Sequence, residues 1–188
     1  MTVHGAYRGL IRDDLGWVNS AGRPDPSAVF HRANLGRVGL DDVAALATGV
    51  MTSVDLWLNE GDLVTNLTFI SAGTAAGTPT NYWFALYDPA GALLAQSADQ
   101  LTAAWAADTA KTLALASAQR ITRSGRYKAA INVTATTVPT LVGTVGAKPV
   151  VTGETNLSQT SGSALTGTAP ATIATPAFKR QVPLVIAT

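Results

Sequence analysis

From Val50 to about Thr134 the apolar residues of this chain recur at every second position, a period that belongs to extended strands with one face turned inward. In Val54-Asp55-Leu56-Trp57-Leu58 the three aliphatic side chains share a face. In Leu63-Val64-Thr65-Asn66-Leu67-Thr68-Phe69, positions 63, 67 and 69 fall on one side and Asn66 and Thr68 on the other. In Tyr127-Lys128-Ala129-Ala130-Ile131-Asn132-Val133, the set 127, 129, 131 and 133 is apolar against Lys128 and Asn132. Such alternation predicts antiparallel sheets with one wet face.

The turn residues agree with that reading. Asn59-Glu60-Gly61-Asp62 separates two strands, and Asp88-Pro89-Ala90-Gly91 has Asp first, Pro second and Gly fourth, as a type I turn prefers. The second turn should join Tyr82–Tyr87 to Ala92–Ser97 as a hairpin. Further strands are expected near Thr112 to Ala116 and Arg126 to Thr134, with Ser124-Gly125 in the turn between them. Six or so strands at this spacing predict an all-β fold, an antiparallel β-sandwich that is jelly-roll-like.

On either side of this segment the pattern changes. Residues 1 to 48 carry both histidines, five arginines (8, 12, 23, 32, 37) and five aspartates (13, 14, 25, 41, 42). The break Arg23-Pro24-Asp25-Pro26-Ser27 and the glycines leave no room for a long amphipathic helix. This part reads as an extended N-terminal arm, with Asp41 capping a single helical turn that ends at Gly49. Between Ala129 and Phe178 the only charges are Lys148 and Glu154. Residues 143 to 188 therefore form a low-charge C-terminal extension to a sandwich of residues 49 to 142. Two apolar stretches in it, Pro149-Val150-Val151 and Val182 to Ile186, leave three roles open: linker, return to the sheet, or docking on a neighbour.

Composition removes several classes of function. A net charge of +1 without any dense Lys/Arg cluster argues against nucleic acid as a partner. No apolar run approaches the roughly 20 residues that a membrane span requires. The N-terminus lacks the basic-then-apolar order of a secretory signal, so synthesis in the host cytoplasm is expected. The absence of cysteine rules out disulfides and thiolate chemistry.

The search for chemistry finds little. His4 and His31 have no metal-ligand spacing, and the adjacent pairs Asp13-Asp14 and Asp41-Asp42 read as solvated charges or caps, so neither metal nor cofactor is expected. Glu60 and Asp62 fit turn chemistry, Glu154 is isolated, and no Gly-x-Ser-x-Gly elbow accompanies either histidine. The glycine stretches Gly73–Gly77 and Gly143–Gly146 lack a phosphate-loop lysine and read as flexible loops. No catalytic residue is expected, and the triplets at Asn66, Asn132 and Asn156 that match glycosylation acceptors are chance without a secretory signal. Trp57, Trp83 and Trp105 could form an exposed ligand platform. Tyr82-Trp83-Phe84-Ala85-Leu86-Tyr87 is equally the pattern of a central strand buried on both faces, and core is the favoured reading.

A surface rich in Ala, Thr, Gly and Ser, with net charge near zero, suits burial against copies or neighbours. The stretches Gly49–Leu58, Gly61–Phe69, Gly73–Asp88, Trp105–Leu115 and Ser124–Ala130 resemble the β-sandwich virion proteins of tailed phages of actinobacteria, over roughly residues 49 to 142. The resemblance implies a non-enzymatic structural role in the virion, most often capsid decoration or a minor tail component, and carries no catalytic motif. The expected partners are then the major capsid protein first and tail proteins second, with a homo-oligomer, a trimer by preference. Tyr7, Leu10, Ile11, Trp17, Val29 and Phe30, apolar side chains in a segment broken by Gly and Pro, are the expected attachment residues. The alternative is a receptor- or carbohydrate-binding module that uses the exposed tryptophans.

Overall fold

In the computed structural model, residues 31–43 and 45–188 are described; the expected attachment residues Tyr7 to Phe30, with His4 and Asp13-Asp14, lie outside them. Thirteen strands and no helix occur among the described residues. A six-stranded sheet has the order β11 (Ala177–Phe178), β10 (Ser158–Ser161), β3 (Met51–Leu58), β8 (Gly125–Thr137), β5 (Gly77–Tyr87), β6 (Leu93–Gln96). A four-stranded sheet runs β1 (Arg32–Ala33), β13 (Val185–Ala187), β4 (Leu63–Ile70), β7 (Ala110–Arg120). A third sheet, β12 (Gln181–Pro183), β9 (Leu141–Val145), β2 (Asp41–Val43), meets the four-stranded sheet through the bridge from Ser71 to Leu141. All strand pairs are antiparallel.

The two larger sheets enclose the main core. Val54, Leu56, Leu58, Tyr82, Phe84, Leu86, Ala129, Ile131 and Val133 from one meet Val64, Leu67, Phe69, Leu113, Leu115, Val185 and Ala187 from the other. Phe84 sits at its centre, edge-on to Phe69 with ring centroids 4.8 Å apart and to Trp105 at 5.8 Å. Burying aliphatic and aromatic side chains in this way supplies the main drive to fold, about 1.5–3 kcal/mol for each large one. The chain is therefore an all-β antiparallel β-sandwich.

Turn chemistry at residues 88–91 follows the sequence closely. Gly91 N donates to Asp88 O at 3.0 Å, the Asp88 carboxylate accepts from Ala90 N and Ala92 N, and Gly91 takes a φ of 86° that a side chain would resist. At 59–62, Asp62 N donates to Asn59 O and the Asp62 carboxylate accepts from Asn59 N.

Several expectations are corrected. Asp41 opens strand β2, paired with β9, instead of a helical turn, because Val43 and Leu46 are drawn into the main core. In β4 the inward set is Val64, Leu67 and Phe69, while Leu63 is exposed: an irregularity between Val64 and Asn66 shifts the alternation by one residue, and both Thr65 N and Asn66 N donate there to Thr188 O. Gly143 belongs to a strand and not a flexible loop. A Cβ there would lie 2.4 Å from Val182 O, so only glycine lets β12 pair this closely. Of the roles left open for the last stretch of the chain, the strand pairing shows return to the sandwich, with β10 on β3, β12 on β9 and β13 on β4, whereas Pro149–Val151 stays outside the sheets.

The largest departure concerns the polar face of the six-stranded sheet, which is not wet. Residues 162–173 cross it as an irregular strap and cover Met51, Trp83, Ala85, Tyr87 and Ala130, a second apolar cluster that includes Ala169 of the strap. The strap is fastened by side chains. Trp83 Nε1 donates to Thr166 O at 2.7 Å, Tyr87 Oη to Pro170 O at 2.9 Å and Thr134 Oγ1 to Leu165 O at 2.8 Å. Gln96 grips from both ends of its amide, donating to Gly167 O and accepting from Ala169 N.

Candidate functional site: an exposed apolar face with a cationic rim

Large apolar side chains exposed singly are ordinary, whereas a contiguous exposed patch marks a place where something docks. Among the described residues, four of eight such side chains fall between the end of β9 and the start of β10; Val38, Trp57, Leu63 and Leu101 are exposed elsewhere. Val145 ends β9 with 59% of its surface exposed, Val150 (89%) and Val151 follow in the loop, and Leu157, also exposed, precedes β10. Leu157 reaches to within 3.5 Å of where a Cβ on Gly146 would lie, so it sits against the end of β9.

Beside it opens a cleft of about 550 Å³ lined by Val145, Gly146, Ala147, Lys148, Phe178 and Arg180. Its position follows from the pairing of β9 with β12, extended by Gly146 N donating to Arg180 O at 2.7 Å, which sets Ala147-Lys148 beside β11. Lys148 Nζ lies 5.6 Å from the centre of the Phe178 ring, a cation–π contact. Arg180 stands exposed at the cleft, and next to it in the chain burial pushes the Lys179 ammonium pKa down. Glu154, the acidic residue of the loop, is turned back to accept from Val150 N and Val151 N. The cleft sets the apolar Val145, Ala147 and Phe178 beside the cationic Lys148 and Arg180, which suits a partner that carries apolar and acidic groups together.

The expected tryptophan platform is mostly dissolved by burial. Trp83 lies under the strap and Trp105 in the main core, where its Nε1 donates to Thr109 O at 3.1 Å; neither offers a ring to solvent. Strand Tyr82–Tyr87 is thus buried on both faces. Trp57 is 55% exposed, with Nε1 donating to Asn59 Oδ1 at 3.0 Å and with Arg126 directly across the strand pair. Of the other candidates, Asp62 forms an ion pair with Arg32 at 3.1 Å, Asp42 accepts from Gly73 N, and Glu60 is exposed in its turn. Among the described residues no group of three or more His, Asp or Glu side chains is placed to hold a metal ion.

Reading the sequence alone missed the cationic rim. Its signal was present: Lys148 interrupts an almost uncharged run, and Phe178-Lys179-Arg180 ends it. No protein-family model matches the chain, and no curated protein matches it as a relative.

Proposed function

We propose that this chain is a non-enzymatic structural protein of a phage virion, a jelly-roll-like knob that binds and stabilises the assembled shell, with a tail position as the second choice. The observation that carries this reading is the cleft of Val145, Phe178, Lys148 and Arg180, with Val150, Val151 and Leu157 exposed in the segment that follows β9, while most aromatic residues among the described ones are buried. The likeness of residues 49 to 142 to virion sandwiches and the scarcity of surface charge point the same way. A protein that binds only the assembled shell shifts the equilibrium towards assembly by mass action. A symmetric oligomer, by preference a trimer, would present several such faces at once and multiply weak contacts. The apolar residues Tyr7, Leu10, Ile11, Trp17, Val29 and Phe30 add a second fastening.

The test is attachment to purified particles of the phage that encodes the chain. The wild type should be a stoichiometric component of those particles. Val145→Asp combined with Val150→Asp should fold normally, because both positions are exposed, and should lose occupancy. Deleting residues 1–30 should do the same, whereas a deletion to residue 48 would also remove β1 and β2 and the buried Val43 and Leu46. Full occupancy of both variants, or absence of the wild type from particles, would contradict the reading.

Exposure of Trp57 beside Arg126 favours one further reading, a sugar-binding tail module. Binding on a glycan array that Trp57→Ala abolishes would establish it.

A further inference from the structure

On the outer face of the six-stranded sheet a pair of opposite charges is closed off from water. Asp55 of β3 and Lys128 of β8 stand directly opposite one another in the register, and their side chains are only 7% and 8% exposed. The two form an ion pair through Asp55 Oδ1. The other carboxylate oxygen, Oδ2, accepts from Arg126 Nη1 at 3.1 Å and from Thr155 Oγ1 at 2.9 Å. Lys128 Nζ also donates to Asn156 O at 3.0 Å.

We propose that Lys128 and Asp55 react to form a side-chain amide, an isopeptide bond that ties the two neighbouring central strands together. Three features of the cluster converge on that reaction. The ladder holds amine and carboxyl at contact in the folded state, which removes the entropic cost of bringing them together. Two donors on Oδ2 polarise the carboxyl group and would stabilise the negative charge that develops on this oxygen when Cγ becomes tetrahedral. The contact between Nζ and Oδ1 gives the proton a direct path from amine to carboxyl, the transfer the reaction needs to free the Nζ lone pair and make Oδ1 part of a leaving hydroxyl.

The step balances without a further reactant. The Nζ lone pair attacks Cγ, the Nζ–Cγ bond forms and the Cγ–Oδ1 bond breaks. Oδ1 leaves as water, carrying the proton it already held and one from the amine. The remaining N–H keeps Asn156 O as its acceptor. Two buried charges disappear, while Arg126, 53% exposed, keeps its charge in solvent. In a chain with no cysteine this bond would be its covalent staple.

Mass spectrometry of the purified, denatured full chain tests the proposal. The wild type should be lighter than its sequence by one water, and a tryptic digest should contain a branched peptide joining the segments around Asp55 and Lys128. Lys128→Arg, which keeps the charge and the pairing with Asp55, should have its full sequence mass. Asp55→Ala should as well, and since that variant leaves a buried lysine without its counter-charge, the Lys128→Arg protein serves as the folded control. A wild type of full sequence mass with only linear Lys128 peptides would overturn the proposal. So would a loss of water that persists in Lys128→Arg, because the bond would then lie elsewhere.

Discussion

The two faces of the six-stranded sheet are both buried, but by different means. Inside, strands of one sheet face strands of another, and Phe84, Phe69 and Trp105 interlock, with the Trp105 indole N–H donating to Thr109 O at the margin. Outside, an irregular strap lies over Trp83, Ala85 and Tyr87, and individual hydrogen bonds from Trp83, Tyr87, Gln96 and Thr134 keep it in place. The inner face is held by shape and area; the outer face combines a thin apolar cover with polar fastenings. A layer of the second kind is weaker by residue and more readily peeled.

The largest effect expected is in the inner core. Phe84→Ala should cost about 3–5 kcal/mol in denaturant unfolding, the usual range for a buried aromatic, and should weaken both layers together. Gly167→Ala should act on the strap. A Cβ there would lie 2.5 Å from Asp99 Oδ2, and that carboxylate is fixed by Tyr82 N and Leu101 N, so the strap itself must move. A cost of about 1–3 kcal/mol and faster proteolysis within residues 162–173 are expected, with the inner strands still protected.

Gln96→Ala removes a clamp at both ends of the amide and should cost about 1 kcal/mol, again with selective loosening of the strap. Tyr87→Phe should cost a similar amount, about 1 kcal/mol, and also alter the alkaline limb of stability. Burial raises the Tyr87 pKa above its ordinary value of 10.0, so the folded state resists ionisation there. Its contribution is intact below pH 10.0, the unfolded value, and is lost as pH rises beyond it. The variant should therefore lose less stability than the wild type above that pH, as read by unfolding midpoints across an alkaline series. Trp57→Ala, outside both layers, should change stability by no more than about 0.5 kcal/mol. An effect as large as that of Gly167→Ala would mean the exposed corner is part of the packing.

The inner layer was legible in the sequence and the outer one only by implication. Period two placed the strands, and Asp88-Pro89-Ala90-Gly91 placed a hairpin, because both depend on local backbone geometry. Tyr82–Tyr87, apolar on both faces, announced a second cover but not its source. Residues 162–173 carry no strand period because side chains of other elements, and not a ladder, satisfy many of their backbone groups. Their small Ala, Gly, Ser and Thr side chains let the backbone lie flat on the sheet, and the same composition reads as linker. Lys128 and Asn132 were misassigned to water for the same reason: what covers them is distant in sequence. For the site, burial undid two of the three tryptophans, and the apolar face with its cationic rim emerged only when β9 and β12 brought Val145, Lys148, Phe178 and Arg180 together.

Native-state hydrogen–deuterium exchange tests most directly the claim that the outer layer is a true second core built by the end of the chain. The amides of Leu165, Ala169 and Ile173 donate to Gly49 O, Gln96 Oε1 and Gly91 O. They should be strongly protected, though exchanging sooner than amides of β5 and β8. Exchange of these amides at the rate of an unstructured peptide, with β5 and β8 still protected, would show the strap to be a loose tail and would contradict the account.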